Sequence, residues 1–210
     1  MSLNINNTTY IYKSRLNLLE ILKERGFNTE NYDNFDINEI SILSENNQLD
    51  MLLTNNTTQK KVYVKYYINK LIKSANIFAI VEDLFHLENI LTKNDDLIIV
   101  IKDEPNDTLI QEIKTLWMTE NIYISLLNIK RLQFNILKHT LVPKHTILTP
   151  DEAELFKKNF NILNNDQIPD ISFFSPVSLV LGIRPDNIVK IERKSPTSIN
   201  SIYYRVCKIK

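Results

Sequence analysis

The chain has few of the residues on which several common sites depend. Two glycines occur among 210 residues, so a Gly-rich phosphate-binding loop is excluded. The one cysteine, Cys207, excludes an intramolecular disulfide and a cysteine-rich zinc site and is typical of a reducing compartment. No serine or cysteine nucleophile motif is present. An enzyme would lack most of the parts it needs, so we expect no catalytic residue and no cofactor.

Neither the charge nor the hydrophobic runs indicate a membrane or free nucleic acid as partner. Lys and Arg total 25, as do Asp and Glu, so no bulk positive field attracts polyphosphates. The part before His139 has 15 basic and 18 acidic residues, and the rest has 10 and 7. No run approaches the ~20 apolar residues of a membrane span. The stretch from Met1 to Tyr10 lacks the apolar core of a secretory signal, so we expect a soluble, intracellular chain.

Hydrophobic spacing in the first two thirds of the chain predicts alternating helices and strands. Apolar residues recur at helical spacing up to Arg25, and Gly26 then supplies a left-handed stop. The largely β-branched run 97–101 is bounded by polar residues, which is typical of a strand buried on both faces. The predicted helices are Tyr10–Arg25, one that starts at Asp36, Ala75–Leu91 and about Asp107–Met118, and the predicted strands are Leu49–Thr54, Lys61–Tyr67, Leu97–Ile101 and Ile122–Leu126. This succession favours an α/β unit with a mixed sheet.

The final third predicts a smaller α+β unit. Thr149-Pro150-Asp151-Glu152 has a capping threonine, a proline at the first helical position and a glutamate three residues after the cap. Ser175-Pro176 repeats this device, and Gly182 closes the short helix that it opens. Strands are predicted at Ile188–Arg193 and at Ile202–Cys207, where Ile202, Tyr204 and Val206 share one face. We therefore divide the chain into domains 1–138 and 139–210.

An ordered set of short motifs at helix ends, turns and strands runs through the second domain. Its segments are His139-Thr140-Leu141-Val142-Pro143-Lys144-His145, the Thr149 helix, Gln167-Ile168-Pro169, Ser175-Pro176-Val177, Gly182, Val189-Lys190-Ile191, Arg193-Lys194-Ser195-Pro196-Thr197 and Tyr203-Tyr204-Arg205-Val206. This set resembles the C-terminal domain of the fifth common subunit of eukaryotic-type RNA polymerases, a domain that archaeal polymerases carry alone, without the N-terminal one. The chain departs from the family at Ser175, where an Asp is usual, at Asp186, where a turn glycine is usual, and at Ser198-Ile199, where Ala-Gly is usual.

The first domain resembles the family's longer, eukaryotic form in the order of its elements. The resemblance implies an α+β protein with an N-terminal α/β, nuclease-like jaw domain around a mixed sheet and a small α+β assembly domain. In the family, the loop that corresponds to Asp103–Asp107 lies close to downstream DNA. Three acids in this loop argue against direct contact with DNA here.

The resemblance implies a non-catalytic polymerase subunit that docks on the largest subunit and forms part of the lower jaw. Its partners would be other polymerase subunits, with downstream duplex DNA only in the assembled enzyme and no small-molecule substrate. The expected location is the nucleus for a cellular protein, and a virion or host cytoplasmic replication site for a viral one. The abundance of Asn, Ile and Lys favours a virus. The expected partner-binding residues are His139, Pro143, His145, Pro176, Arg193, Tyr204 and Arg205.

The sequence gives weaker support for two other kinds of site, a metal site and a set of rings that stack on bases. His139 and His145 have no acidic or thiolate partner at ligand spacing, and we expect no metal site because zinc needs three or four converging ligands. Trp117 and the pair Tyr66-Tyr67 carry rings that could stack on bases, but packing in the core or on the sheet is the better interpretation.

The alternative function is a restriction-type nuclease or a nuclease-derived DNA-binding protein. Asp50 on one predicted strand precedes Lys65 on the next, as in such nucleases, but Tyr63 occupies the position of the second acid. One carboxylate offsets too little of the charge of a divalent metal. A free-standing interaction module that borrowed the assembly fold is a further alternative.

Overall fold

The computed structural model describes residues 2–195 and 197–209, with side chains from residue 8 onward. Pro196, in the run quoted above, lies outside the described residues. The chain forms two compact units, the first ending at Asn135 and the second beginning at Ile136. Both contain helices and sheets, so the predicted α+β class is confirmed. Within the described residues, we find no helix with the length and apolar character that spanning a bilayer requires.

The first unit packs helices around one sheet. Its helices are α1 (Ser2–Glu24), α2 (Ile37–Glu45), α3 (Ser74–Val81) and α4 (Asp107–Glu120), and its strands are β1 (Met51–Thr54), β2 (Lys61–Tyr67), β3 (Asp96–Ile101) and β4 (Tyr123–Asn128). The strand order is β1-β2-β3-β4, with β1 antiparallel to β2 and the other pairs parallel. The predicted mixed sheet is therefore confirmed. Every residue of β3 is buried, as its apolar run predicts.

Helix α1 illustrates what an amphipathic pattern can and cannot predict. Its C-terminal stop is confirmed, since Gly26 has φ +88° and a Cβ there would meet the Asn55 side chain at 3.0 Å. The helix starts at Ser2, whereas the apolar spacing predicts Tyr10. Apolar spacing shows only the part of a helix that packs against the core, so it does not reveal helical turns outside that part.

The predicted helix Ala75–Leu91 is wrong at its end. Helix α3 gives way to a π-helix at Glu82–Leu87, and Asn89 then adopts a left-handed conformation with φ 50°. The backbone amides of Ile90 and Leu91 both donate to the carbonyl of Leu84. The wider turn redirects the chain while Leu91 stays in the core, which preserves the apolar pattern after the α-helix has ended.

The second unit is built around another sheet. Its strands are β5 (Lys144–Ile147), β6 (Asp170–Ser172), β7 (Ile188–Ser195) and β8 (Ile199–Lys208), and its helices are α5 (Pro150–Asn159) and α6 (Pro176–Leu181), with 3-10 turns at Ile136–Lys138 and Asn165–Gln167. The strand order is β5-β7-β8-β6. Strands β5 and β6 are not among the predicted strands. Both are short edge strands whose pairing is set by neighbours distant in sequence.

Capping groups and buried residues on both faces of the sheet hold this unit together. The Thr149 hydroxyl accepts from the Glu152 amide at 3.3 Å, and the Glu152 carboxylate accepts from the Thr149 amide at 2.8 Å, so the predicted capping box is confirmed. Ser175 caps α6, which Gly182 ends with φ 71°. One buried cluster joins α5, the residue after the 3-10 turn at Asn165–Gln167 and two strands, and its members are Phe156, Ile168, Ile188 and Val206.

Candidate docking surface of the second unit

Alternation along β8 divides the predicted partner-binding residues between two faces of the sheet. Tyr203 and His145 both pair with Ile191, from opposite sides of β7. Directly paired residues project from the same face, and so does Arg205, two positions after Tyr203. Tyr204 projects from the other face. The structure therefore brings His145 and Arg205 together on one face but not Tyr204.

Two guanidinium groups flank one aromatic ring on the His145 face. The Arg193 guanidinium lies 5.0 Å from the centroid of the Tyr203 ring, and that of Arg205 lies 5.9 Å from it. Nη1 of Arg205 also donates a 2.8 Å hydrogen bond to the carbonyl oxygen of Asp170. We call Arg193, Tyr203 and Arg205 the arginine–tyrosine cluster. Its cation–π contacts stabilise the fold by only about 0.5–1 kcal/mol each at such exposed sites, but they orient both charges.

The arginine–tyrosine cluster retains donors for a partner. Within the described residues, no carboxylate lies at ion-pair distance from Arg193 or Arg205. A guanidinium presents donors in a planar fork that matches a carboxylate bidentately. Arg193 is exposed and Arg205 is half-buried. The cluster is therefore suited to binding carboxylate or carbonyl oxygens of another protein.

His145 adds a neutral acceptor to the same face. Its Nδ1 lies 2.7 Å from the carbonyl oxygen of Pro143, so Nδ1 carries the proton and donates. Burial lowers the pKa of His145 from its ordinary 6.5, and nearby Arg205 lowers it further against the opposing effect of the Pro143 hydrogen bond. The imidazole is neutral at pH 7, and Nε2 can accept a hydrogen bond.

Tyr204 belongs to the core on the opposite face of the sheet. Its ring centroid lies 4.1 Å from that of Phe156 and 6.2 Å from that of Phe160. The ring packs against the buried cluster around Val206 while remaining half-buried. Tyr204 therefore has a structural role that does not require a partner.

The remaining predicted residues lie around α6 and the turn that precedes β5. His139 is exposed, and its Nδ1 accepts from the Leu141 amide at 3.2 Å. Pro176 is exposed at the first position of α6, which contacts the 3-10 turn at Ile136–Lys138. Leu141 is 84% exposed, so this region presents an apolar side chain to solvent.

Tyr203 is not among the predicted partner-binding residues. The neighbouring Tyr204 is, although strand alternation alone places Tyr203 on the face of Arg205. This signal was available in the sequence. The hydrogen bond from Arg205 to Asp170 was not, because the two residues are 35 positions apart.

The described residues offer no evident metal or thiol chemistry. They contain no group of three His, Cys, Asp or Glu side chains close enough to hold a metal ion. Cys207 is buried, and burial together with the charge of Asp186 raises the pKa of its thiol to about 12. A thiol in that state is neither a nucleophile nor a metal ligand at neutral pH.

The nuclease-like residues of the first unit do meet, but three protein donors already engage the Asp50 carboxylate. Oδ2 of Asp50 accepts from Nζ of Lys65 at 2.9 Å and from the Tyr63 hydroxyl at 3.2 Å. Oδ1 accepts from the backbone amide of Tyr66 at 3.0 Å. Burial and the nearby Asp50 carboxylate raise the pKa of Tyr63, which therefore remains a donor. A divalent ion would have to displace donors that already engage both oxygens.

The stacking candidates of the first unit are partly embedded in it. Trp117 is half-buried on α4. The hydroxyl oxygen of Tyr66 is buried, and burial raises the pKa of this side chain to about 12. Partly buried rings of this kind favour the packing interpretation over base stacking.

Comparison with known proteins identifies the second unit. The sequence profile described as "RNA polymerase Rpb5, C-terminal domain" matches residues 134–207. The chain is 40% identical over 74 residues to DNA-directed RNA polymerase subunit Rpo5 of Thermococcus kodakarensis, which covers 35% of this chain and 89% of that one. For Rpo5 of Archaeoglobus fulgidus the identity is 40% over 75 residues, covering 36% of this chain and 97% of that one. The chain belongs to the Rpb5 family.

One Rpb5-family relative matches both units. The chain is 25% identical over 200 residues to DNA-directed RNA polymerases IV and V subunit 5B of Arabidopsis thaliana, covering 92% of this chain and 88% of that one. Rpb5-family proteins are non-catalytic, structural subunits. Every predicted partner-binding residue lies within the matched range 134–207.

Proposed function

We propose that this chain is a non-catalytic subunit of a multisubunit DNA-dependent RNA polymerase and docks through its second unit on the largest subunit. The observation that carries the proposal is the short length of the archaeal relatives. The segment that matches this unit covers 89% of the Thermococcus protein and 97% of the Archaeoglobus protein. A polymerase subunit of that size must assemble through this unit. The same unit of the present chain is therefore its assembly domain.

The docking surface combines the arginine–tyrosine cluster with His145. It offers oriented guanidinium donors, an aromatic ring and a neutral acceptor on one face of the sheet. Arginine and tyrosine are enriched where protein interfaces carry most of their binding energy. His139 and Pro143, which precede β5, and Pro176, which begins α6, form the second part of the proposed contact.

The first unit forms part of the lower jaw beside downstream duplex DNA. The plant relative, which spans both units, supports a polymerase role for the whole chain. The excess of acidic residues before His139 argues that this unit contacts DNA only where other subunits hold the duplex. The acidic loop is partly neutralised, since Arg131 forms a 2.9 Å ion pair with Glu104.

The location of the protein follows from that of its polymerase. We propose the nucleus for a cellular enzyme and a virion or host cytoplasmic replication site for a viral one. The abundance of Asn, Ile and Lys and the divergence of the first domain from the family support the viral source. No comparison and no contact of the described residues favours the nuclease alternative.

Affinity purification of the largest polymerase subunit tests the docking surface. The double variant Arg193→Ala with Arg205→Ala should be lost from the purified enzyme at a salt concentration that retains the wild type, because buried charge-assisted hydrogen bonds disappear. Lys194→Ala is the matched control, since Lys194 is an exposed cation next to Arg193 and projects from the other face. Unchanged recovery of the folded double variant would overturn the assignment of this face.

Site-specific crosslinking tests the jaw. Photoreactive groups in the first unit should crosslink to downstream duplex DNA in the assembled polymerase and not in the isolated chain. Tight binding of duplex DNA by the isolated chain at physiological salt would contradict the proposal.

A further inference from the structure

A cavity of about 340 Å³ opens at the carboxyl ends of the parallel strands in the first unit. The residues that follow β2, β3 and β4 line it, together with one side each of α1 and α2. Ligands of α/β proteins bind characteristically outside the carboxyl ends of the strands. The volume lies in the range of small-molecule sites, which begins at about 300 Å³.

Two lysines at the cavity provide positive charge. Lys102 directly follows β3, and Lys130 follows β4 by two residues. Both side chains are exposed, and neither forms an ion pair within the described residues. Both lysines line the same cavity and follow neighbouring strands, which are about 4.8 Å apart. Such a pair can bind a phosphate without a Gly-rich loop.

The helix α2 side of the cavity has the opposite character. Ser41, Ser44 and Glu45 line it at helical spacing, and Glu45 is the last residue of α2. The C-terminal end of a helix carries partial negative charge, which disfavours an anion. The exposed Glu45 carboxylate instead suits hydroxyl donors, as an acidic residue does when it binds a ribose.

The lining of the cavity also includes three isoleucines. Ile11 and Ile129 are buried and Ile68 is half-buried, and all three contribute to the lining. They offer a surface against which a flat aromatic group can pack. The cavity thus arranges a phosphate-binding pair of cations, an apolar surface and a hydroxyl-binding carboxylate around one volume.

We propose that this cavity binds a nucleoside monophosphate. The phosphate contacts Lys102 and Lys130, the base packs on the isoleucines, and the ribose hydroxyls donate to Glu45. This inference goes beyond the assembly role proposed above and does not depend on it. It also differs from the expectation, implied by the family resemblance, that the chain has no small-molecule substrate.

Methyl NMR of the full chain tests the proposal directly. Isoleucine methyl signals are followed while AMP, GMP, CMP or UMP is added, with the corresponding nucleosides and inorganic phosphate as comparators. At least one nucleotide should shift the signals of Ile11, Ile68 and Ile129 saturably, and at least about tenfold more tightly than its nucleoside or phosphate alone. Absence of such shifts at millimolar nucleotide would overturn the proposal.

Three variants identify the contacts. Lys102→Ala and Lys130→Ala should each weaken nucleotide binding about tenfold, because each removes a charge-assisted contact. Glu45→Gln should weaken nucleotide binding and leave the weak binding of inorganic phosphate unchanged. Lys23→Ala, an exposed lysine in the last turn of α1, is the control and should bind like the wild type. Equal weakening by Lys23→Ala would show only a general charge effect.

Discussion

Arg25 donates a 2.6 Å hydrogen bond to the carboxylate of Asp96, whose side chain is completely buried. Lys60 approaches the other oxygen of Asp96 at 2.8 Å. These contacts hold the residue after α1 and the loop between β1 and β2 against the first residue of β3. The net contribution of a buried ion pair to stability is often small, whereas removal of one partner is costly.

Asp96→Asn should lower the free energy of unfolding by about 3 kcal/mol, because it leaves two cations without a buried counter-charge. Urea denaturation of the full chain measures the change. Asp83→Asn is the control, since Asp83 is exposed and its loss should cost less than about 0.5 kcal/mol. Equal costs for both variants would show that the Asp96 charge is dispensable.

Tyr203 and Tyr204 should separate docking from stability. Tyr204→Ala removes a ring packed on Phe156 and should destabilise the second unit by about 2 kcal/mol. Tyr203→Ala should cost about 1 kcal/mol or less, yet weaken recovery with the largest polymerase subunit. Denaturation and affinity purification of both variants provide the two measurements. The reverse pattern would place docking on the Tyr204 face.

The environment of His145 should produce a pH dependence of stability. The pKa of His145 is lowered in the folded state, so below about its ordinary 6.5 the unfolded chain binds a proton that the folded chain does not. This difference lowers stability as the pH falls through that value. His145→Asn keeps a donor for the Pro143 carbonyl but cannot titrate. The melting temperature of the variant minus that of the wild type should be larger at mildly acidic pH than at mildly alkaline pH. An equal difference at both pH values would refute this account.

The Asp50 cluster should be inert as a metal site. Magnesium or manganese should neither raise the melting temperature of the chain nor support cleavage of duplex DNA, because Lys65, Tyr63 and the Tyr66 amide engage the Asp50 carboxylate. Plasmid cleavage and thermal denaturation with each ion provide the measurements. Metal-dependent cleavage that disappears in Asp50→Ala would restore the nuclease alternative.

Predictions from the sequence are most accurate where the structure depends on nearby residues. Thr149 with Glu152, Gly26 and Gly182 mark helix ends whose hydrogen bonds span a few positions, and all three predictions are confirmed. Asp186 does adopt the left-handed conformation of the family's turn glycine, with φ 67°. Polar side chains such as Asp tolerate this conformation better than most residues do.

Predictions from the sequence were weakest where an element depends on distant partners. The π-helix after α3 preserves apolar spacing while it changes the course of the chain, so periodicity could not reveal it. The edge strands β5 and β6 gain their structure from pairing with β7 and β8. Strand β5 has four residues and β6 has three, and an apolar pattern over so few residues cannot predict such pairing.

The sequence by itself determined the helix ends that caps and glycines mark, the buried strands, the α+β class and the ordered motifs of the Rpb5 family, because backbone geometry and side-chain period are local properties. Only the tertiary structure placed Arg193 and Arg205 around Tyr203, joined Asp50 to Lys65, and opened a cavity beside Lys102 and Lys130. These arrangements depend on strand register and on how helices cross the strand ends. Both are set by packing among residues far apart in the chain.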